Sequence, residues 1–414
     1  MARIVEVRGR RVWDSRGRTT VEAEVRLEGG ALGRGIAPAG ASTGSGEAKA
    51  IDARQAAHFV STEIAAALAG KEADQAAIDR LLIELDGTPD KHRLGANAIV
   101  AVSLACAHAA AAAAGVPLWK HLAGERRVGL PVPQIQIYGG GAHARGRVDI
   151  QDYLLICTGA RNFDEALEWT AEVYRAAGAR LAKRGALQGV ADEGGYWPAF
   201  KANEDGLAEL TEAIEDAGLK PGTDACIGLD VAATQLWSGG RYHLALENRV
   251  LGTEQLQAML LRWVERYPIV SIEDPFAEHD AEAMRAFTRA AGGRVQIVGD
   301  DFFVTDARRV AQANGACNAV LLKPNQVGTV SETLACWQAA RAAGYGGIVS
   351  ARSGETEDVS IVHLAVGWGV PQLKVGSFSR SERMAKWNEG LRIEEALGSD
   401  ALPYPARRLF TQEA

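Results

Sequence analysis

Three acidic residues close short apolar runs in the second half of the chain: Asp230 ends IGLD, Glu273 falls in IVSIED and Asp300 ends QIVGD. A single acid in such a place is more often solvated or ion-paired than functional. Three in succession, at the ends of runs that predict neighbouring strands, point elsewhere. Carboxylates held at close range repel unless a cation neutralises them, and an all-oxygen donor set suits a hard ion such as Mg²⁺. Two lysines close further runs, Lys323 in AVLLK and Lys374 in PQLK. An ammonium beside a metal ion and a second ammonium has its pKa pushed down, so it can take a proton near neutral pH. The chemistry this set implies is removal of a proton from carbon next to a carboxylate, with metal stabilising the resulting dianion.

These residues need a frame that brings separate run ends to one place. From Glu273 onward the ends recur about every 25 residues, the length of one strand, one helix and two loops in a (β/α) barrel. Short apolar runs alternating with amphipathic helices predict a parallel sheet, and in a closed barrel the C-terminal strand ends share one mouth. The fold class read here is α/β, with a (β/α)8 barrel over residues 132–414 behind a smaller N-terminal domain over 1–125. From Arg3 to about Ala37, alternating runs broken by DSRG and EGG predict a three-stranded antiparallel meander. Ala-rich helices are predicted at roughly 47–69, 74–86 and 95–114, the last stopped by Gly115 and Pro117. GERRVGLPVP at 124–133 reads as the linker.

The 414 residues carry a formal net charge of -7 with dispersed Lys and Arg, which argues against a nucleic-acid groove or an anionic membrane surface as partner. The apolar stretch from Leu104 to Trp119 is interrupted by His108 and Gly115 and falls short of the ~20 residues of a membrane span. It reads as a buried helix. Five widely spaced cysteines without a CxxC pair fit reduced thiols in a cytosol. The N-terminal MARIVEVRGRR has no apolar signal core, so a cytoplasmic location is expected.

Over nearly its whole length the sequence resembles enolase. The motifs run in order from DSRGRTTVE (14–22), GASTG (40–44), LGANAIVAVSLA (94–105) and DEGG (192–195) to GLDVAA (228–233) and SIEDPF (271–276). GDD (299–301), LLKPNQVG (321–328), RSGETED (352–358) and RSERMAKWNE (380–389) follow. Enolase-superfamily sites are themselves the standing example of a Lys or His base working with Mg²⁺ on an ene-diolate. The resemblance implies one or two Mg²⁺ per active site, the first on Asp230, Glu273 and Asp300 and the second under Ser42 of the GASTG loop. It makes Lys323 the base, places Lys374 by the substrate carboxylate, and makes Glu193 the acid that helps the β-hydroxyl leave. Arg352 and Ser353 would grip the phosphoryl group, and His143 would cover the substrate. DSRG is read as structural or subunit-contacting, RSERMAKWNE as a helix supporting Lys374, and the assembly as a homodimer.

Several positions near the substrate depart from the enolase pattern. Ala351 stands where a histidine precedes the Arg-Ser pair, and Asp152 follows Gln151 where a longer glutamate is usual. Gly139 and Ala142 replace Asn and Ser, Ala39 replaces Ser, and Val375 replaces Thr. Most of these exchanges remove atoms, so the expectation drawn is an enlarged phosphoryl pocket. On that ground the chain resembles carboxyphosphonoenolpyruvate synthases of phosphonate and phosphinate antibiotic biosynthesis. The partner expected is a small phosphorylated or phosphonylated carboxylic acid, with nucleotide-activated phosphonoformate as co-substrate. The alternatives are an ordinary enolase acting on 2-phosphoglycerate and a non-catalytic binding protein on the same scaffold.

Overall fold

The alternating N-terminal runs form an antiparallel meander of Ile4–Trp13, Thr19–Leu27 and Leu32–Ile36, with the middle strand buried. The computed structural model describes residues 2–291 and 293–410. Helix Ala96–Ala113 packs across the meander and is buried along most of its length. Its approach is unusually close because Leu32–Ile36 carries Gly33 and Gly35. A Cβ on Gly33 would lie 2.1 Å from the Ala105 carbonyl oxygen, and one on Gly35 2.5 Å from that of Ala101. By length and composition this helix could cross a membrane, but here it forms the core of the N-terminal domain.

The first predicted helix is shorter than 47–69. It begins at Ala53, where the Asp52 carboxylate accepts from the backbone N–H groups of Arg54 and Gln55, and it passes through a π turn at Val60–Ile64. Residues 47–52 stay outside the helix, and Glu47 reaches into the barrel mouth instead.

Beyond Ala123 the chain has no regular structure until Val132. Eight strands then close into a barrel: Val132–Gly139, Asp152–Ile156, Cys226–Asp230, Ile269–Glu273, Gln296–Gly299, Ala319–Leu322, Gly346–Ser350 and Gln372–Ser377. The last pairs with the first. The sheet is not wholly parallel, as the sequence reading had it, because Asp152–Ile156 runs antiparallel to both neighbours. The connection from Gly139 to Asp152 holds only a short 3-10 turn at Gly141–Ala144, and without a crossover helix the chain must return in the opposite direction. The reversal matters for the site. It brings the first residue of this strand, Asp152, to the mouth, directly opposite Asp230 in register. A hairpin of Leu187–Val190 and Tyr196–Pro198 is joined to the strand Val132–Gly139 and carries Glu193 in its turn.

The N-terminal domain closes one side of the mouth. Ala39 and Gly354 exchange backbone hydrogen bonds of 2.9 and 2.8 Å. Arg16 of the DSRG turn donates to the Ala39 carbonyl at 2.8 Å.

Candidate active site

The strand ends gather the expected acids and amines in one buried mouth. Glu273 lies opposite Asp230 on adjacent strands, and Asp300 follows the next strand along. Lys374 Nζ is 2.6 Å from Glu273 Oε2, 3.1 Å from Asp230 Oδ2 and 3.4 Å from Asp152 Oδ2. Lys323 Nζ is 2.5 Å from Asp300 Oδ2. Lys374 sits inside its strand rather than at its end, because the strand continues to Ser377. Gln151 donates to Asp230 Oδ2 at 3.0 Å and accepts from Gln235 at 2.8 Å, which fixes the face that Asp230 presents.

Without a metal ion, the protein's own charges hold both amines protonated. Burial lowers the pKa of Lys323, but the Asp300 and Glu273 carboxylates together more than offset it and hold the ammonium above its ordinary range. Lys374 is likewise raised, since the charges of Asp230, Glu273 and Asp152 overcome its burial. Neither amine is therefore poised as a base by its protein neighbours alone, and the depression expected from sequence belongs to the metal-bound site. Glu273 is pushed well above the usual carboxylate range, first by burial and then by Asp230, and its Oε1 is buried with no hydrogen-bond partner. A mouth with an orphaned carboxylate oxygen and crowded acids is short of positive charge, and its all-oxygen donors fit a hard divalent cation.

Two acids that sequence reasoning passed over back this arrangement. Asp274 accepts from the N–H groups of Asp300 at 3.0 Å and Asp301 at 2.7 Å, and with those two it forms the tightest all-carboxylate group among the described residues. Burial and the Asp300 charge lift Asp301 to about 7. Both stand inside quoted motifs, SIEDPF and GDD, but the left-handed backbone at Asp274 that turns its carboxylate toward those amides leaves no sequence signal.

On the opposite wall, His143 lies between two carboxylates, with Nδ1 2.9 Å from Asp152 Oδ1 and Nε2 3.6 Å from Glu193 Oε1. Burial pulls its pKa down, but Asp152 and Glu193 outweigh it and raise it to about 9. Gln136 also donates to Asp152. At the domain junction, Arg352 forks onto Glu47 at 3.0 and 3.1 Å and reaches Asn325 Oδ1 and the Ser42 carbonyl, each at 3.0 Å. Ser353 Oγ accepts from the Ala41 N–H at 2.6 Å. The GASTG loop thus lies directly on the Arg-Ser pair.

Part of the room expected from the departures from pattern is taken up by packing. Ala351 is buried in the apolar core with Val349, Leu373 and Val375, and its N–H donates to the Lys374 carbonyl at 2.8 Å. A Cβ on Gly139 would stand 2.5 Å from the Ala191 Cβ, so that space belongs to Ala191. Ala39 makes its contact through the main chain, and Asp152 is fully buried against His143 and Gln136.

Comparison with known proteins agrees. The family described as "Enolase, N-terminal domain" matches residues 4–122, and that described as "Enolase, C-terminal TIM barrel domain" matches 127–412. "Enolase 1" of Desulfitobacterium hafniense (strain Y51) is 47% identical over 99% of this chain and 97% of its own length. This full-length likeness to a curated enolase overturns the reading as a carboxyphosphonoenolpyruvate synthase, and with it the phosphonoformate co-substrate and the link to antibiotic biosynthesis. At Gly139 the exchange that looks enlarging is absorbed by the Ala191 side chain. Matched in both of its domains, the chain belongs to the enolase family and is a Mg²⁺-dependent carbon–oxygen lyase that acts on a small phosphorylated carboxylic acid.

Proposed function

We propose that this chain is an ordinary enolase that interconverts 2-phosphoglycerate and phosphoenolpyruvate, in the cytoplasm and as a homodimer. The observation that carries the reading is the placement of two buried amines, Lys323 and Lys374, against Asp300, Asp230 and Glu273 in one mouth. Asp230, Glu273 and Asp300 are the residues that would hold Mg²⁺, with Ser42 near a second ion. When bound, the metal supplies positive charge that stabilises the carboxylate dianion formed after proton loss.

The protein's own groups account for the rest. Asp300 holds Lys323 protonated in the metal-free protein, as Asp230 first and then Glu273 hold Lys374, so engaging Asp300 elsewhere releases Lys323 to accept the α-proton. Lys374 stays cationic among several carboxylates and suits the substrate carboxylate. Glu193, at the hairpin turn beside His143, donates the proton that lets the β-hydroxyl depart, while Asp152 orients His143. Gln151 and Asp152 shape that wall. Arg352 and Ser353 take the phosphoryl group, Arg352 by a forked charge-assisted contact, with Ala351 packed behind them.

The test is turnover of 2-phosphoglycerate with Mg²⁺, followed by the ultraviolet absorbance of the enol ester. Robust turnover is expected, and its absence in metal-loaded, folded protein would sink the proposal. Light scattering at assay concentration checks the dimer.

A further inference from the structure

We infer that Arg383 and Lys386, on the helix Ser381–Leu397, are positioning residues that preset the phosphoryl-gripping pair Arg352–Ser353 from behind. The inference rests on the proposed role of that pair. Both side chains are fully buried, which is costly for a cation unless most of its donors are engaged; in Arg383 both Nη atoms donate, and Nε lies 3.5 Å from Glu382 Oε1 without a hydrogen bond. The last ladder pair between the neighbouring strands Gly346–Ser350 and Gln372–Ser377 is Ser350 with Lys374, and beyond Ala351 the two segments part. Past that point their carbonyls need partners from elsewhere.

Arg383 supplies them. Its Nη1 donates to the carbonyls of Arg352 at 2.6 Å and Val375 at 2.9 Å, and its Nη2 to that of Ser353 at 2.7 Å. One planar guanidinium therefore bridges the two segments where their mutual ladder has ended. Lys386, one turn along the helix, donates to the Thr356 carbonyl at 2.9 Å and lies 3.1 Å from Glu355 Oε2. Glu355 Oε1 in turn accepts from the Arg352 N–H at 3.0 Å. The Arg352 peptide is thus fixed at its N–H through Lys386 and Glu355, and at its carbonyl by Arg383. The same stem of Arg383 passes Gly376, where a Cβ would meet Arg383 Cδ at 3.1 Å and the Glu193 carbonyl at 2.9 Å. The clamp therefore sits where the segments of Arg352, Lys374 and Glu193 cross, without facing the mouth itself.

The deciding experiment compares wild type, Arg383→Met and Arg383→Lys. In Arg383→Met, KM for 2-phosphoglycerate is expected to rise at least about tenfold and kcat/KM to fall about a hundredfold. Mg²⁺ affinity by calorimetry should stay within about threefold, because the carboxylates stand on other strands. Added guanidinium ion should restore about tenfold of the loss, a rescue that general destabilisation would not give. A folded Arg383→Met with wild-type KM, or one that loses Mg²⁺ binding in parallel with substrate, overturns the inference. If that variant does not fold, Arg383→Lys decides. A single ammonium cannot fork to three carbonyls, so KM should rise about tenfold, and a wild-type KM would refute the clamp. Should wild type itself fail to turn over 2-phosphoglycerate, the functional reading falls while the clamp is still tested. Inorganic phosphate with Mg²⁺ is then the probe, and binding by Arg383→Met or Arg383→Lys at least about tenfold weaker than wild type is expected. Equal phosphate binding would refute the clamp independently.

Discussion

Replacing Asp152 with Asn should move the titration of His143 by more than any other single change on that wall of the mouth. Asp152 Oδ1 is 2.9 Å from His143 Nδ1, and both side chains are buried. Burial acts against the charged imidazole, and Asp152 is the largest influence in the other direction, followed by Glu193. The net result carries His143 from 6.5 to about 9, roughly 3 kcal/mol of preference for the imidazolium in the folded state. Because the folded pKa lies above the unfolded one, this stabilisation is complete below pH 6.5 and is lost as pH climbs through about 9. Asn keeps the size and one acceptor but removes the charge, so burial should return His143 to its ordinary value or lower. The assay is an NMR titration of ¹³C-labelled histidine in EDTA-treated protein, where no divalent charge intrudes. A wild-type midpoint near 6.5, or one near 9 that persists in Asp152→Asn, would refute the electrostatic argument.

Removing the base should be visible without full turnover. In Lys323→Met, Mg²⁺-dependent exchange of the substrate α-proton into deuterated water should slow by about 10²–10⁴-fold, and undiminished exchange would take Lys323 out of that role. Chelation with EDTA should abolish activity, and Mg²⁺ at about a hundred times its Kd should return activity and add roughly 2.7 kcal/mol of stability. A thermal midpoint indifferent to Mg²⁺ would count against the carboxylate site. Restoring the usual Asn at Gly139 should destabilise by about 1–3 kcal/mol, because its Cβ would press on Ala191. Thermal melts check this, and an unchanged midpoint would show that Ala191 gives way freely.

What the sequence made legible follows from periodicity and from residues too costly to bury without a reason. Asp230, Glu273, Asp300 and Lys323 are found where strand spacing puts them, and the meander and the helix Ala96–Ala113 follow from alternation and Ala content. The antiparallel strand Asp152–Ile156 was not legible, since direction is set by the missing crossover helix rather than by anything in its apolar run. Nor were Glu47 and Asp274, whose roles depend on a loop path and a left-handed backbone residue. The direct pairing of Lys323 with Asp300 is not legible either, since a strand-end position does not say which neighbouring acid the amine reaches. The enlarged pocket was misjudged for a related reason. Counting the atoms lost at Gly139 ignores Ala191, which occupies that space, and a neighbour so distant in sequence leaves no mark in the motif.

The reciprocal amide–carbonyl contact between Ala39 and Gly354 is made without side chains. A junction written in main-chain atoms tolerates drift in residue identity, so Ser and Ala at position 39 can hold the GASTG segment down equally well. Proline is the exception: it has no N–H to offer, and Ala39→Pro would give up the bond to the Gly354 carbonyl while the bonds that the Ala39 carbonyl accepts from Gly354 and Arg16 remain.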